Sequence, residues 1–547
     1  MRARFRILSL CSIATMCLAA GAHAALNIST DPTQNMNCSG GVCTATAKAA
    51  VLNVHDLTDM LASGDLKVAT GNSGAQDIHV ATPVTWTSAS RLTLDALHSI
   101  VFGQAVSVAG SGAVTLITND GGTGGDYWFL SAGSISFWDL KSSLIINGQK
   151  FTLVNDISSL AKKIAGKPAG HYALANSYDA SVDGAYKHSP VTTVFTGTFE
   201  GLGNAIQNLT IAVPSENLPL VGLFAQSAGT LRDTNLPNVS LSKKFFGDTS
   251  YGGALVGEND GSVLRASSSG IIADAGDMAA GGLIGINRGQ VANASSAVGG
   301  GIGGLAVNNY GVITQSFATG DTPGSDAGGL VYYNDGKGSI TLSYATGDAT
   351  AETAISKYGN AGGLVGVNYG DIAQSFATGA ITAKGGGKTT AGGLVGLSGN
   401  GVISQTYATG AVINRKKAIV GGLVGELGPK ASIQQSYSVG AITVGGSSLA
   451  GGAIGYDKSS GQQIKDLDWD LDTSGIDDPG RGAGAPRNDP GITGLTDDQL
   501  KSGLPDGFDP KVWGQDPNIN NSYPYLLANP PPDNAPREGT IKARRRG

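Results

Sequence analysis

Residues 362–379 read GGLVGVNYGDIAQSFATG, and closely similar phrases follow at 392–410 and 421–440. Related Gly-Gly phrases begin at positions 253, 281, 303, 328, 362, 392, 421 and 451. Seven steps therefore cover 198 residues, and the mean period is about 28 residues. A degenerate earlier copy lies at 221–235. A period of this length is typical of helical solenoids, propellers and β-solenoids.

The composition of the repeat favours strands over helices. Each unit carries several glycines, and glycine costs roughly 1 kcal/mol relative to alanine inside a helix. The apolar residues stand in three short runs per unit, as in 362–367, 371–378 and 380–383, which indicates strands separated by turns. Three strands suit a β-helix coil better than a four-stranded propeller blade. The predicted fold class is all-β: a right-handed parallel β-helix, or β-solenoid, of three-strand coils with small terminal caps.

Stacked coils place equivalent residues in columns along the axis. Alternation puts a hydroxyl column and a methyl column on one face of their strand and an aromatic column on the other. We expect the small residues inside and the aromatic column outside, where it is a candidate ladder for binding by stacking. The hydroxyl column is Ser316, Ser343, Ser375, Thr406 and Ser436, the methyl column Ala318, Ala345, Ala377 and Ala408, and the aromatic column Phe317, Tyr344, Phe376, Tyr407 and Tyr437.

A glycine follows each of these strands and predicts a corner. Such a corner needs either a positive φ or a tight turn, and glycine supplies both. The column is Gly320, Gly347, Gly379, Gly410 and Gly440.

The repeated phrase resembles the GLUG motif, which is found in bacterial exported proteins, including large adhesins and some immunoglobulin A-specific peptidases. The resemblance covers 221–456, and 195–211 resembles the coil that leads into such repeats. Residues 84–100 resemble a strand-turn-strand phrase of filamentous-haemagglutinin-like exoproteins, and 469–475 and 494–527 resemble their closing segment. The resemblance implies a surface or secreted β-helical protein and implies no reaction.

The amino terminus has the pattern of a signal peptide. Three arginines at positions 2, 4 and 6 precede an apolar stretch at 7–20, and Ala22-His23-Ala24 is an A-x-A cleavage site. We expect cleavage between Ala24 and Ala25 and export from a Gram-negative cell to its surface or the medium, with the periplasm as the alternative. No segment of the mature chain is apolar and long enough to span a bilayer.

Cysteine use agrees with export. Only Cys38 and Cys43 remain after signal cleavage, and an oxidising compartment favours a disulfide across this tight loop. Metal binding is the alternative, but two thiolates without a nearby histidine make an incomplete site.

The chain divides into five parts by pattern. After the signal, 25–194 reads as an amino-terminal cap and irregular coils with short helices at 55–63 and 156–163, and 195–456 as the repeat β-helix. A closing segment, 457–528, contains the acidic run 466–472, whose acids we expect in solvent with Trp469 and Leu471 facing inward as a lid. Residues 529–547 form a Pro-rich basic tail with the pattern of disorder.

No catalytic, cofactor or metal residues are predicted. The repeats carry only single acids, at Glu258, Asp274, Asp326, Asp371 and Glu426, and no His-Glu-x-x-His occurs. Charged residues are 14%, and loss of the signal arginines takes the net charge from -6 to -9, which disfavours nucleic acid as a partner.

The predicted function is a non-catalytic, adhesin-like scaffold for a glycan or protein partner on a host or neighbouring cell. The alternative is a β-helical polysaccharide lyase or glycoside hydrolase. Its mark would be a cleft of clustered Asp, Glu, Lys or Arg on one face of the helix.

Overall fold

The computed structural model describes residues 24–214, 218–243, 250–273, 278–352, 358–384, 388–414, 416–445, 448–459 and 463–532. The predicted signal segment up to position 23 and the tail from 533 onward lie outside the described residues. The rest is nearly all-β, with about 15 turns of stacked parallel coils and few helices, so the predicted β-solenoid is confirmed.

An amino-terminal solenoid precedes the repeats. Its strands pair in parallel along three faces, and a hairpin of Met36–Ser39 and Val42–Ala45 begins one of them. A disulfide between Cys38 and Cys43 joins the two strands of this hairpin. The remaining strands are Ala25–Ser29, Ala50–Asn53, Leu66–Ala69, Asp77–Val80, Val84–Trp86, Arg91–Asp95, Ile100–Phe102, Ala105–Val108, Ala113–Ile117, Tyr127–Phe129, Ser134–Phe137 and Ser143–Ile146.

The chain reverses direction where the second solenoid begins. Ser143–Ile146 and Gln149–Val154 are antiparallel, and Gln149–Val154 then pairs in parallel with His171–Leu174. Leu153 belongs to the core of the amino-terminal solenoid, whereas Val154 belongs to the core of the repeats. The two apolar cores therefore lie on opposite faces of this shared strand.

Five parallel columns of short strands build the repeat solenoid. The first runs Gln149–Val154, His171–Leu174, Thr198–Glu200, Thr230–Arg232, Ser262–Leu264, Gln290–Ala292, Val312–Thr314, Ser339–Thr341, Asp371–Ala373, Val402–Ser404, Ser432–Ser438, Ile464–Asp470 and Ile492–Leu495. The second runs Thr210–Val213, Asn235–Lys243, Ser267–Ile272, Ser295–Gly299, Phe317–Ala318, Tyr344–Ala345, Phe376–Ala377 and Tyr407–Ala408. The third runs Phe224–Ser227, Val256–Asn259, Ile284–Asn287, Ala306–Asn309, Val331–Asn334, Val365–Asn368, Val395–Ser398, Val424–Leu427 and Ile454–Asp457.

The two remaining columns complete each coil. One runs Leu220–Val221, Ser250–Gly253, Met278–Gly281, Ala327–Gly328, Tyr358–Gly362, Lys388–Gly392, Ile419–Gly421 and Leu449–Gly451. The other runs Thr322–Gly324, Ala349–Ala351, Ile381–Ala383, Val412–Asn414 and Ile442–Val444. Two two-stranded pairs lie outside the columns: Tyr178–Asp179 with Ile206–Gln207, and Trp513–Gly514 with Tyr525–Leu526.

Two of the three runs predicted for each coil are divided into two strands. The run 371–378 becomes Asp371–Ala373 and Phe376–Ala377 because Gln374 takes a positive φ of 47° and bends the chain between them. The same bend recurs in neighbouring coils at Gln315, Leu342, Gln405 and Gln435. Glutamine and leucine therefore occupy a left-handed corner that was not predicted.

The glycines that were predicted at a corner are required for another reason. Gly347, Gly379 and Gly410 do not adopt a positive φ, but a Cβ on Gly379 would lie 2.0 Å from the carbonyl oxygen of Gly347. A Cβ on Gly410 would lie 1.8 Å from the carbonyl oxygen of Gly379. The glycine column is needed because consecutive coils approach each other too closely there for any side chain.

Both expected short helices are present. Helix α1, Val54–Ser63, is capped by the side chain of Asn53 and buries Leu57 and Leu61 in the amino-terminal core. Helix α2, Ile157–Gly166, is capped by Asp156 and buries Leu160 and Ile164 in the repeat core. A third helix, α3, covers Asp497–Ser502.

The small-residue columns lie inside the repeat solenoid, as expected. The hydroxyl column is fully buried, and the Ser343 hydroxyl accepts the backbone N–H of Ser316 at 3.1 Å while it donates to the Thr341 carbonyl at 2.8 Å. Each hydroxyl thus bonds one coil to its neighbour.

An asparagine ladder inside the third column was not predicted. The side-chain amide of Asn259 donates to the side-chain oxygen of Asn287, and the same 2.8 Å bond repeats from each asparagine to the next. All members are fully buried. The ladder consists of Asn259, Asn287, Asn309, Asn334 and Asn368, and Ser398 continues it.

Asn334→Ala is expected to lower the free energy of unfolding by about 1–3 kcal/mol, because it leaves the buried amides of Asn309 and Asn368 each without one partner. The exposed Asn400→Ala is the matched control and should change stability by no more than about 0.5 kcal/mol. Denaturant unfolding of both variants measures the difference. Equal midpoints would contradict the ladder's contribution.

Candidate functional site

The predicted aromatic ladder forms a regular stack on the outside of the coil. Consecutive ring centroids from Phe317 to Tyr437 lie 4.9, 4.9, 4.7 and 5.3 Å apart, and the ring planes are within 6° of parallel. These separations follow the spacing of neighbouring strands, about 4.8 Å. The stacking and the outward direction are as expected.

The ladder is nevertheless closed to ligands. Phe376, Tyr407 and Tyr437 have no exposed surface, Tyr344 is 2% exposed, and only Phe317 is partly exposed. The carboxy-terminal cover, which we define as residues 496–532, packs over the rings through Leu500, Phe508, Trp513, Tyr523 and Leu526. As a binding surface for an external glycan or protein, the aromatic column is a wrong prediction, because the chain's own end occupies it.

Side-chain hydrogen bonds fix the cover to the rod. The Tyr437 hydroxyl donates to the Pro524 carbonyl at 2.6 Å and accepts from the Asn520 amide at 2.8 Å. Asn529 is fully buried, and its amide donates to the Gln374 carbonyl at 3.0 Å. Residues 529–532 therefore belong to the cover, whereas we expected them to belong to a disordered tail.

The acidic run 466–472 also differs from its prediction. Trp469 is fully buried as the expected lid, but Asp468 and Asp470 are buried as well. Asp470 accepts the backbone N–H groups of Asp472 and Thr473 at 2.9 and 3.0 Å. Asp468 pairs with Tyr437 in register and so extends the aromatic column beneath the cover.

Burial raises the pKa of Asp468 to about 7, with further contributions from the neighbouring acids Asp466 and Asp506. Because the folded pKa lies above the ordinary value of 3.8, folding favours the protonated form. The stability that comes from protonated Asp468 is complete below pH about 4 and is lost as the pH rises to about 7.

Asp468→Asn is expected to be more stable than wild type by an amount that grows between pH 4 and pH 7 and then levels off, at most about 4 kcal/mol for a shift of about three pKa units. Unfolding curves at several pH values measure it. The exposed Asp477→Asn should keep the wild-type pH dependence. A stability difference for Asp468→Asn that does not change with pH would contradict the buried placement.

Tyr437→Phe and Tyr407→Phe make a matched pair of tests of the cover. Tyr437→Phe removes two buried hydrogen bonds and is expected to cost about 1–2 kcal/mol of stability. The Tyr407 hydroxyl is buried without a hydrogen-bond partner among the described residues, so its removal should be neutral or stabilising. Thermal melts distinguish them, and equal destabilisation of both variants would contradict this packing.

A partly buried charged cluster joins the two solenoids. This junction cluster consists of Asp126, Glu200, Arg232, Asp233 and Arg265. Arg265 donates to both carboxylate oxygens of Asp233 at 2.7 and 2.8 Å and to Asp126 at 2.9 Å. Arg232 lies 3.0 Å from Asp126 and 3.2 Å from Glu200. Asp126 belongs to the amino-terminal solenoid, so these pairs tie it to the repeats.

The surroundings of the cluster are aromatic. The Tyr127 hydroxyl donates to Glu200 at 2.5 Å, and the guanidinium of Arg232 lies 4.1 Å from the centre of the Tyr127 ring. Burial raises the pKa of both Glu200 and Asp233. Each carboxylate of the cluster is paired with an arginine. We therefore interpret the cluster as a structural link between the two solenoids.

Sequence reasoning missed this cluster because its members are scattered. Asp126 is 106 residues from Arg232 and 139 residues from Arg265. One signal was available, because the repeat period places Asp233 and Arg265 at equivalent positions of consecutive coils. Both residues take a positive φ there, of 50° and 51°.

A second row of aromatic rings lies on the surface of the third column. This tyrosine patch is Tyr310, Tyr333 and Tyr369, from three consecutive coils, and all three are half-buried. The centroids of Tyr310 and Tyr333 are 6.3 Å apart and those of Tyr333 and Tyr369 5.8 Å, with planes tilted by 51° and 47°. The carboxy-terminal cover packs over the aromatic ladder and not over the third column. The tyrosine patch is therefore the candidate binding site. Its sequence signal is a tyrosine beside the ladder asparagine in three consecutive copies, at Asn309, Asn334 and Asn368.

An ion pair borders the patch beside Tyr310. Arg288 lies 2.5 Å from Glu258, and its guanidinium lies 4.7 Å from the centre of the Tyr310 ring. Further along the same column, Lys458 lies 2.5 Å from Glu426. Burial and the neighbouring Asp335 raise the pKa of Tyr333.

Two of the single acids of the repeats accept backbone hydrogen bonds. Asp326 accepts from the Asn360 backbone, and Asp371 from that of Val402, while Asp274 lies outside the described residues. Within those residues no three His, Cys, Asp or Glu side chains are placed to hold a metal ion. None of the helices described is long and apolar enough to cross a membrane.

The GLUG motif matches residues 357–382, so the chain is a β-solenoid that carries this motif. No curated protein matches it significantly. Among solved structures it is similar to an IgA1 protease at 21% identity and a TM-score of 0.31, over 57% of this chain and 21% of that protein. A protein from Bacteroides ovatus described as an immunoglobulin A1 protease matches at 16% identity and a TM-score of 0.27, over 70% of this chain and 92% of that one.

This chain thus spans about a fifth of the first solved structure. At these TM-scores the likenesses carry no argument about activity. The resemblance to filamentous-haemagglutinin-like exoproteins is not found in these comparisons and stays a prediction.

Proposed function

We propose that the protein is an exported, non-catalytic scaffold that binds a glycan or protein partner at the cell surface or in the medium, as an adhesin does. The observation that carries this proposal is the division of the aromatic side chains between two rows. One row is sealed under the carboxy-terminal cover, and the other, the tyrosine patch, stays at the surface of a rigid rod. Exposed aromatic side chains beside polar groups are typical of binding surfaces.

Three further features support export. The disulfide between Cys38 and Cys43 belongs to oxidising compartments. The GLUG motif and the A-x-A site before Ala25 point in the same direction, with the periplasm as the alternative location.

The proposal is tested by fractionation of the native cells with immunodetection, together with binding of the purified mature chain to intact cells. Surface or medium location and saturable binding are expected. A chain found only in the cytoplasm, or one that binds no cell or matrix preparation, would contradict it.

One observation favours a carbohydrate-active enzyme instead. The junction cluster gathers three carboxylates and two arginines, and these are residue types predicted for that class. Against this reading, Glu200 has no exposed surface and Asp233 is only 6% exposed, so a substrate has little access to either group. Release of new reducing ends from polysaccharides, abolished in Asp126→Asn, would favour the enzyme.

A further inference from the structure

We propose that the tyrosine patch binds an uncharged polysaccharide that lies along the axis of the rod. This inference rests on the proposed binding function and names the chemical class of its ligand. Tyr310, Tyr333 and Tyr369 carry it, because they bring three half-exposed rings into one row over three coils.

The row runs in the direction that a polymer of sugar rings takes when it lies along the rod. Its members come from consecutive coils, which are separated by about 4.8 Å along the axis. An aromatic ring packs against the C–H face of a pyranose, and its polar edge meets the sugar hydroxyls. Consecutive sugars of an extended chain can therefore meet consecutive tyrosines.

The fold makes room for the rings on this face. A Cβ on Gly399 would lie 2.3 Å from Cε1 of Tyr369, so this glycine of the next coil leaves the space that the ring occupies. A ring held in this way loses little conformational freedom when a ligand binds, which favours affinity.

The charges around the patch select against an anionic ligand. Arg288, the cation in contact with Tyr310, is paired with Glu258 at 2.5 Å and lies 4.0 Å from Asp260. Asp335 adds a carboxylate beside Tyr333. The cation is neutralised while acids remain in excess, so acidic polysaccharides and nucleic acids are repelled and a neutral chain is not.

The test is a pull-down of the full mature chain with insoluble cellulose, chitin and β-1,3-glucan, and with cross-linked polygalacturonate as the acidic comparison. Wild type is expected to bind at least one neutral polymer, with little change between low and high salt. Tyr310→Ala/Tyr333→Ala/Tyr369→Ala is expected to weaken binding more than tenfold.

Trp138→Ala is the matched control, since Trp138 is 71% exposed on the amino-terminal solenoid, and it should bind as wild type does. Melting curves check that the triple variant is folded, and the single Tyr369→Ala, expected to weaken binding severalfold, replaces it if it is not. The corresponding Phe variants should retain most binding because they keep the rings.

Three results would overturn the inference. The first is that the triple variant binds as wild type does, and the second is that only polygalacturonate is bound. The third is that no neutral polymer is bound and the triple variant loses binding to a protein partner. If wild type binds cells but no neutral polymer, the inference fails while the proposed function stands. If wild type binds neither, both fail.

Discussion

The close stacking of consecutive coils is the constraint on which the rest of this structure depends. Where the glycine column passes from coil to coil, a backbone carbonyl occupies the space that a Cβ would need. Only glycine permits that approach, and the approach sets the register in which hydroxyls, asparagine amides and aromatic rings meet their counterparts. The ladders are a consequence of this register, and each adds stability that a single coil could not gain alone.

The same stacking creates a problem at the outer surface, which the carboxy-terminal cover solves. A row of four buried rings would otherwise expose a large apolar strip to solvent. The cover seals it with its own aromatic residues and anchors at Tyr437 and Asn529. The third column, where the tyrosine patch lies, stays available for a partner.

Much of the repeat region follows from its sequence, because the period fixes which residues stack. The hydroxyl and methyl columns lie inside and the rings outside, as alternation predicts. The asparagine ladder could have been predicted from the same period. In later copies, however, its position is taken by Ser398, Leu427 and Asp457. The cover and the junction cluster were not predictable, since they depend on contacts such as Asn529 with Ser343, 186 residues apart, for which no periodicity gives a signal.

A crystal structure of the mature chain soaked with neutral oligosaccharides would test whether this rod binds through its surface tyrosines and performs no chemistry. We expect uncleaved sugar along Tyr310, Tyr333 and Tyr369, with the carboxy-terminal cover unchanged over the aromatic ladder. Cleaved sugar at the junction cluster beside Asp126, or sugar on the ladder with the cover displaced, would contradict it.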